Sequence, residues 1–322
     1  MTESIEPDEP KEDLSRKCLI CQELYSSEVT MCPKDKGMVV PLFSKEVEDP
    51  FVGTTLGENY DIVAIAGTGG MGVVYQGQHR ALDRKVAIKM LKSEFVQDEK
   101  SYLRFQVEAL AASRLTHPNV VALYDYGVAQ TGQPFLIMEF IEGTSLASEI
   151  TRHGALTVNR AMPIFLQACN ALEHAHHNNI IHRDVKPSNT ILIEIEGQPD
   201  LVKIVDFGIA QIAELREDGL KLTKTGEIFG SPVYMSPEQC TGDAIDERTD
   251  IYSMGTLMYE TLTGVAPFVG SNAIDTIQKK FSENPKPFLV ARPNSTVAPE
   301  IEAVIMKALE RDPNRRFQSM SE

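Results

Sequence analysis

The sequence contains no tryptophan and only five cysteines among its 322 residues. Three of the cysteines, Cys18, Cys21 and Cys32, lie close together near the N-terminus, and the other two are scattered. This pattern does not suggest a disulfide framework, so we expect a reducing, cytoplasmic setting with one metal site. No apolar run approaches the roughly 18 residues of a membrane span, and the acidic N-terminus does not resemble a signal peptide. We therefore expect no membrane segment in this chain, while an anchor beyond residue 322 stays open.

The chain is also poor in basic residues, with 31 Lys and Arg against 46 Asp and Glu, which gives a formal net charge of −15 at pH 7. This excess of negative charge argues against nucleic acid as the main partner. Part of the charge is local, because residues 1–15 contain six acidic residues and one lysine. We interpret residues 1–15 as a disordered acidic tail. The whole chain, at 42% apolar residues, is still long and hydrophobic enough to build a sizeable core.

The N-terminal cysteines form two half-sites that are ten residues apart, Cys-Leu-Ile-Cys and Cys-Pro-Lys-Asp. We interpret residues 16–41 as a zinc-ribbon-like segment, since so short a segment cannot bury enough apolar surface to fold without a metal. The predicted zinc ligands are Cys18, Cys21, Cys32 and Asp35. Asp35 stands where a fourth cysteine is expected, so water and Glu23 remain alternatives to it, and free cysteines in a disordered leader remain an alternative to the site. Residues 42–56, which contain proline and glycine, are predicted to be a linker.

A glycine-rich stretch follows a strand-like run from Ile62 to Ala66 and precedes a second strand-like run from Val73 to Tyr75. The pattern Gly-x-Gly-x-x-Gly also occurs in dinucleotide-binding folds, but there the third glycine begins a helix. Here the strands on both sides predict a hairpin, whose glycines let backbone N–H groups approach phosphate without interference from Cβ atoms. The residues predicted to contact phosphate are Gly67, Thr68, Gly69, Gly70, Met71 and Gly72.

The run Val-Ala-Ile-Lys at residues 86–89 has the pattern of a buried strand that ends in a lysine. Lys89 is either a surface residue at a strand end or a contact to nucleotide phosphates. A helix with apolar residues at positions 103, 107, 110 and 111 follows, and Glu108 lies at the edge of this stripe. A lone glutamate on a helix usually faces solvent, so the pattern by itself assigns Glu108 no role.

The densest cluster of polar chemistry is the segment His-Arg-Asp-Val-Lys-Pro-Ser-Asn at residues 182–189. Asp184 can accept a proton from a hydroxyl group, Lys186 can neutralise a phosphate, and Asn189 can ligate a hard cation through oxygen. Asp206, in the run Asp-Phe-Gly, supplies a second carboxylate after a predicted hairpin. Together these groups suit a reaction that moves a phosphoryl group onto a hydroxyl.

The segment at residues 182–189 resembles the catalytic loop of protein kinases, and with it seven motifs match that family in order over residues 57–322. Gly-Gly-Met-Gly-Val-Val-Tyr, Ser-Pro-Glu-Gln and Lys186 look most like the bacterial, eukaryotic-like (Hanks-type) serine/threonine branch. The resemblance implies an α+β fold of two lobes, a small antiparallel β lobe with one helix (about 57–140) and a mainly helical lobe (about 143–322). It also implies that the chain stops inside the last helix, as a truncated or partial chain would.

The resemblance further implies roles for single residues. Asp184 is expected to position the substrate hydroxyl and accept its proton, and Lys186 to stabilise charge on the γ-phosphoryl group. Lys89, paired with Glu108, is expected to orient the α and β phosphates of ATP. The expected ligands of Mg²⁺ (or Mn²⁺) are Asn189 and Asp206. The remaining nucleotide contacts are expected from Val74 and Ala87 and from the main chain of Glu139 and Ile141.

Residues 209–237 are predicted to be a loop whose phosphorylation activates the enzyme. Thr223 and Thr225 are the candidate sites. A phosphate on this loop can pair with the guanidinium of Arg183, which directly precedes the proposed catalytic aspartate. The alternative is a polar loop that carries no modification. The family resemblance also implies an ion pair between Glu238 and Arg316.

The predicted function is ATP-dependent phosphorylation of serine and threonine hydroxyls on proteins, in signalling. Autophosphorylation, and self-association that would permit it, are further implications. The predicted partners are therefore protein substrates and not nucleic acids. The alternative is a pseudokinase-like scaffold that binds nucleotide and partner proteins without turnover.

Overall fold

The computed structural model describes residues 14–18, 24–26, 29, 33–34, 39–41, 49–69, 72–96, 102–103, 105–106, 109, 113–195, 198–207 and 232–322. The chain forms two compact units, Met1–Thr54 and Thr55–Glu322, which are described separately. Within the described ranges, no helix combines the length and the apolar character needed to cross a membrane.

The described part of the first unit is a three-stranded antiparallel sheet in the order β2–β1–β3. Its strands are β1 (Leu14–Cys18), β2 (Leu24–Ser26) and β3 (Val39–Pro41). β1 begins inside the segment that the sequence predicts to be a tail, and Cys18 lies opposite Val39 in the register. Cys21, Cys32 and Asp35 lie outside the described residues, and the side chain of Cys18 is not described. The zinc site therefore stays a prediction.

The second unit begins with a six-stranded antiparallel sheet in the order β4–β5–β6–β7–β9–β8. Its strands are β4 (Thr55–Leu56), β5 (Tyr60–Thr68), β6 (Gly72–His79), β7 (Arg84–Leu91), β8 (Leu123–Val128) and β9 (Pro134–Glu139). Tyr75, Val86 and Ile137 are buried in this sheet, as alternating aromatic and β-branched residues predict. β5 and β6 pair up to Thr68 and Val73, which confirms the predicted glycine hairpin and excludes the dinucleotide-binding alternative.

One short helix, α1 (Ser93–Val96), follows β7, and a mainly helical part follows β9. That part contains β10 (Thr144–Ser145), α2 (Leu146–His153), α3 (Val158–His177), β11 (Thr190–Ile195), β12 (Gln198–Ile204), α4 (Pro237–Thr241), α5 (Arg248–Thr263), α6 (Ala273–Ser282), α7 (Phe288–Ala291) and α8 (Pro299–Ala308), with 3₁₀ turns at Pro187–Asn189 and Pro313–Arg315. β10, β11 and β12 form a small antiparallel sheet. The predicted two-lobed α+β architecture is confirmed.

The core of the helical part lies between α3 and α5. The buried face of α3 repeats at helical spacing and consists of Ala161, Ile164, Phe165, Ala168 and Leu172. These side chains pack in one cluster with Tyr252, Met254 and Leu257 of α5. α5 ends at Gly264, whose left-handed backbone (φ 84°) suits a residue without a Cβ atom. α5 is thus a buried central helix, and it can anchor the loops that pack against it.

The end of the chain differs from the prediction. The family resemblance implied that the chain stops inside a helix, but the residues after Arg315 form bends and turns up to Glu322. At its other end, the second unit begins with β4 at Thr55, slightly before the predicted boundary at residue 57.

Candidate active site

The polar loop that contains the proposed catalytic aspartate is anchored to α5 by a buried carboxylate, Asp250. Its Oδ2 accepts a hydrogen bond from the backbone N–H of His182 (2.8 Å), and its Oδ1 accepts one from that of Arg183 (2.7 Å). The ring of His176 on α3 lies 2.8 Å from the same Oδ2. Arg183 adopts a left-handed backbone (φ 66°), which costs a residue with a side chain about 1–3 kcal/mol. The bonds to Asp250 offset this strain and fix the backbone at the next residue.

That next residue, Asp184, is bonded through one of its two carboxylate oxygens. Lys186 Nζ donates to Oδ2 over 2.6 Å, and Asn189 Nδ2 donates to the same oxygen over 3.0 Å. The Asn189 amide also donates to the main-chain carbonyl of Asp184 over 3.0 Å. Within the described residues, no donor contacts Oδ1. The loop therefore fixes the carboxylate through Oδ2 and leaves Oδ1 able to accept a proton from a hydroxyl group.

His182 connects this loop to the segment that carries Asp206. Its Nδ1 accepts a hydrogen bond from the backbone N–H of Asp184 (3.2 Å), so we assign the proton to Nε2, which donates to the carbonyl of Val205 (3.1 Å). The ring also lies against Phe207, with 4.4 Å between ring centroids. Two segments that are distant in sequence are thereby joined by one buried imidazole.

Lys89 and Asp206 are 117 residues apart in sequence and form an ion pair, with Nζ 3.0 Å from Oδ1. Asp206 also has a left-handed backbone (φ 54°). The charge of Lys89 holds the pKa of Asp206 below its ordinary value, against the opposing effect of burial. The carboxylate is therefore ionised at neutral pH. Glu108, the predicted partner of Lys89, lies outside the described residues, so that pair stays a prediction.

The oxygens of Asn189 and Asp206 suit a hard divalent cation. Both amide hydrogen bonds of Asn189 run from Nδ2 to Asp184, and the bond that Asp206 accepts from Lys89 goes to Oδ1. The amide oxygen and the second carboxylate oxygen accept no bond within the described part of the chain. That part contains no group of three histidine, cysteine or acidic side chains that could hold a metal. The donor set therefore fits Mg²⁺, which commonly takes one or two protein ligands and completes its shell with phosphate and water.

The glycine hairpin lies next to Lys89, because Val74 of β6 pairs with Lys89 of β7. A Cβ atom at Gly72 would lie 2.6 Å from the carbonyl oxygen of Met90, so the close packing of β6 on β7 requires glycine there. A Cβ atom at Gly67 would meet no atom within 4 Å. Packing within the protein does not require glycine at Gly67, whereas close approach of a phosphate would. Of the other predicted phosphate contacts, Thr68 ends β5, the N–H of Gly69 donates to the carbonyl of Gly72, and Gly70 and Met71 lie outside the described residues.

The segment predicted to bind adenine begins at the end of β9, where Glu139 makes contacts that the sequence did not reveal. Its Oε2 accepts hydrogen bonds from Lys203 Nζ (2.7 Å) and from the backbone N–H of Ala122 (3.3 Å). Ala87, predicted to contact the nucleotide, pairs with Met138 next to it, and Ile141 is half-buried beyond the strand. Lys203 lies on β12, three residues before Asp206. The side chain of Glu139 thus links this segment to the strand that leads to Asp206, the predicted metal ligand.

A short segment, residues 232–236, leads into α4, and α4 contacts the polar loop. Ser236 and Gln239 form a capping box at the start of α4, and Gln239 Nε2 donates to the carbonyl of Arg183 (2.8 Å). Glu238 forms the predicted ion pair with Arg316, through two hydrogen bonds of 2.8 Å. The candidate phosphorylation sites Thr223 and Thr225 lie outside the described residues.

The fold and this arrangement define the class of protein. Residues 60–321 match the protein kinase domain family, and the chain belongs to the protein kinases. The serine/threonine-protein kinase pkn3 of Myxococcus xanthus is 39% identical over 268 residues, a match that covers 83% of this chain and 49% of pkn3. PknB of Mycolicibacterium smegmatis is 38% identical over 270 residues, covering 83% of this chain and 42% of PknB. The crystal structure of the PknI kinase domain of Mycobacterium tuberculosis is similar with a TM-score of 0.64 and 27% identity, covering 83% of this chain and 94% of that one.

The chain therefore spans about half the length, or less, of the curated relatives that it matches. These relatives confirm the predicted bacterial serine/threonine kinase family, and the family implies ATP and Mg²⁺ as cofactors. The family match begins at residue 60, so the N-terminal sheet lies outside it.

Proposed function

We propose that this chain transfers the γ-phosphoryl group of ATP to serine and threonine hydroxyls of proteins, in signalling. The observation that carries this proposal is the geometry of Asp184. Lys186 and Asn189 fix one of its carboxylate oxygens, and the other can accept a proton. The two described cysteines outside the N-terminal cluster, Cys169 and Cys240, are free thiols, which supports a cytoplasmic location.

In the proposed reaction, Asp184 orients the acceptor hydroxyl and takes its proton as the oxygen attacks phosphorus. Lys89 binds the α and β phosphates, and Lys186 stabilises the charge on the transferred group. Asn189 and Asp206 would hold Mg²⁺, which supplies neutralising charge to the phosphates when it is bound. These residues act by positioning and electrostatics, because the transition state of phosphoryl transfer is loose.

The remaining residues of the proposed nucleotide site bind and position ATP and take no part in the proton or phosphoryl transfer. Glu108 pairs with Lys89, and the glycine hairpin covers the phosphates with its backbone N–H groups. The residues proposed to surround the sugar and base are Val74, Ala87, Glu139 and Ile141. The pairing of Val74 with Lys89 and of Ala87 with Met138 supports this arrangement, since it brings both small side chains beside the proposed phosphate contact.

Asp184→Asn tests the proposal, because it keeps the shape of the side chain and removes the base. We expect the rate of phosphoryl transfer to a generic protein substrate to fall by about 10²–10⁴-fold, while ATP binding persists. Asp83→Asn is the matched control, since Asp83 is exposed and its left-handed backbone (φ 46°) accommodates asparagine. Equal transfer rates for wild type and Asp184→Asn, with ATP bound by both, would favour the pseudokinase-like scaffold.

The second part of the proposal is that phosphorylation of Thr223 or Thr225 activates the enzyme through Arg183. The support is the backbone at Arg183, which Asp250 and Gln239 fix beside the catalytic aspartate. Mass spectrometry after incubation with ATP should find phosphate within residues 209–237 of wild type and none in Asp184→Asn. If modification occurs between copies of the chain, its rate per enzyme should rise with protein concentration. An active enzyme without phosphate in that range would contradict this part.

The third part is a structural zinc ion bound by Cys18, Cys21, Cys32 and Asp35. Three thiolates and a carboxylate are an acceptable tetrahedral set for zinc. The pairing of Cys18 with Val39 supports the site, because it brings the segment that follows Asp35 beside the first half-site. Elemental analysis should find about one zinc per chain. It should be lost in Cys18→Ser/Cys21→Ser and kept in the control Cys169→Ser, while Asp35→Ala tests the fourth ligand separately. If elemental analysis found no zinc in the wild-type protein, the proposed zinc site would be contradicted.

A further inference from the structure

A buried lysine on α6 has no part in the chemistry proposed above. The side chain of Lys280 is 0% exposed. Its Nζ donates one hydrogen bond, to the carbonyl oxygen of Val233 over 2.7 Å. The ammonium group also lies 5.2 Å from the ring centroid of Tyr252 and 5.6 Å from that of Phe268. Within the described residues, no carboxylate forms an ion pair with it.

Burial of an ammonium group is unfavourable unless its hydrogen bonds and charge are compensated. Two aromatic faces supply part of the compensation at Lys280. Among the described residues, the carbonyl of Val233 is the one hydrogen-bond acceptor of this ammonium, so the positions of the two groups depend on each other. A neutral apolar side chain of the same length could fill the space but could not bind the carbonyl.

Val233 belongs to residues 232–236, the segment that leads into α4. Residues 232–235 are half-buried, so part of their surface is accessible to another molecule. The segment is also fixed through Tyr234, whose carbonyl accepts a bond from Ser253 (2.9 Å) and whose hydroxyl donates to Glu260 (2.6 Å). Directly beyond it, Gln239 donates to the carbonyl of Arg183. The segment therefore contacts α5 and α6, and it is connected through Gln239 of α4 to the residue that precedes Asp184.

We propose that Lys280 is a positioning residue for protein substrates, which fixes residues 232–236 so that the half-buried residues 232–235 form the surface that a polypeptide contacts when its hydroxyl reaches Asp184. This inference rests on the proposed function. A water molecule that reaches the same site needs no such surface, because it has no chain to accommodate. The lysine thus acts on the binding of the protein substrate and not on the binding or hydrolysis of ATP.

Lys280→Met tests the inference, with Lys279→Met as the matched control. Lys279 is the neighbouring residue on α6 and also donates to a carbonyl, that of Val269 (2.9 Å), but its side chain is 31% exposed. We expect Lys280→Met to raise KM for a generic protein substrate on the order of 10-fold, as loss of a charged hydrogen bond would. KM for ATP and the rate of ATP hydrolysis without a protein substrate should stay within about two-fold of wild type in both variants.

Two results would overturn the inference. One is an equal KM for the protein substrate in Lys280→Met and Lys279→Met. The other is an equal loss of ATP hydrolysis and of protein phosphorylation, which would indicate a general structural role. If Lys280→Met does not fold, Phe268→Leu, which removes one aromatic face, should raise KM for the protein substrate in the same direction. An unchanged KM in Phe268→Leu would then overturn the inference.

Hydrogen exchange separates this inference from the proposed function. If wild type shows no phosphoryl transfer, the proposed function fails, and the role of Lys280 is judged from the amides of residues 233–236. We expect these amides to exchange on the order of 10-fold faster in Lys280→Met than in Lys279→Met. Equal exchange in the two variants would show that Lys280 does not fix the segment.

Discussion

The ion pair between Arg316 and Glu238 and the ion pair between Lys89 and Asp206 each join a cation to a carboxylate, but their surroundings differ. The side chains of Arg316 and Glu238 are 0% and 8% exposed, whereas those of Lys89 and Asp206 are 19% and 45% exposed. Arg316 makes five hydrogen bonds with its guanidinium group. The acceptors are both carboxylate oxygens of Glu238 and the carbonyls of Arg248, Glu310 and Arg311.

The two carboxylates are both ionised at neutral pH, for related reasons. Burial acts against ionisation of Glu238, but the hydrogen bonds and charge of Arg316 hold its pKa below the ordinary value. The charge of Lys89 does the same for Asp206. What distinguishes the pairs is how many of their polar atoms are already bonded. A pair whose donors and acceptors are all bonded stabilises the fold, and an accessible pair with a carboxylate oxygen that accepts no bond within the described residues, as at Asp206, can also bind a ligand.

The strongest test of this difference removes the buried cation. Arg316→Met leaves Glu238 buried without its partner, so we expect a loss of about 3–5 kcal/mol in the free energy of unfolding. Arg315→Met is the control, since Arg315 is exposed and its loss should cost within about 0.5 kcal/mol. Because the chain has no tryptophan, urea unfolding is best followed by circular dichroism. A loss below about 1 kcal/mol, as exposed ion pairs show, would mean that the pair is not a structural element.

The corresponding change at the active site should affect activity and leave stability nearly unchanged. Lys89→Met removes a cation from an accessible pair, so the free energy of unfolding should change by at most about 1 kcal/mol. The rate of phosphoryl transfer should fall by about 10²–10³-fold, as expected when one electrostatic contact to the transition state is lost. Lys85→Met on the same strand is the control, because Lys85 pairs with the exposed Glu142. A stability loss as large as that of Arg316→Met would contradict the distinction drawn here.

The sequence predicted best those features whose residues are close together along the chain. Asp184, Lys186 and Asn189 lie within six positions, so the loop itself brings them into contact. The glycine hairpin was also predictable, since alternation on both sides of the glycines indicates strands and leaves a turn between them. The Glu238–Arg316 pair was inferred from the family resemblance and not from any local pattern.

The contacts that the sequence did not reveal join residues far apart in the chain. Lys203 and Glu139 are 64 residues apart, and Lys280 and Val233 are 47 residues apart. A lysine on a strand or helix usually extends into water, so nothing local in the sequence distinguishes these two lysines from exposed ones.

The ion pair between Lys203 and Glu139 is more exposed than the Arg316–Glu238 pair and less exposed than the Lys89–Asp206 pair. Lys203 and Glu139 are 12% and 27% exposed, and the pair links the predicted adenine-binding segment to β12. Lys203→Met should raise KM for ATP about 10-fold, through loss of a charged hydrogen bond, without changing KM for the protein substrate. In a double-mutant cycle, Glu139→Gln should have little effect once Lys203 is replaced. Additive effects of the two substitutions would show that the pair does not position the segment.

The smallest effect is expected at a buried cation that has no carboxylate partner within the described residues. Burial lowers the pKa of Lys280 from 10.5 to about 8, and the nearby Cys240 thiol opposes this effect. The folded state therefore binds the lysine proton more weakly than the unfolded chain does. The stability contributed by Lys280 is present above pH 10.5 and is lost as the pH falls through about 8. Between these values, the free energy of unfolding should rise with pH on account of this group.

The measurement compares wild type with Lys280→Met at pH 7 and pH 9 by urea unfolding. Wild type should gain roughly 1 kcal/mol relative to the variant over this interval, and Lys279→Met should follow wild type. The neighbouring titratable groups stay neutral in the interval, because burial raises the pKa of Cys240 to about 11 and also raises that of Tyr252. The guanidinium carbon of Arg316 also lies near the Tyr252 ring, 5.0 Å from its centroid. The same pH dependence in wild type and Lys280→Met would mean that the folded and unfolded chains bind the lysine proton equally, as they would if Lys280 were solvated in the fold.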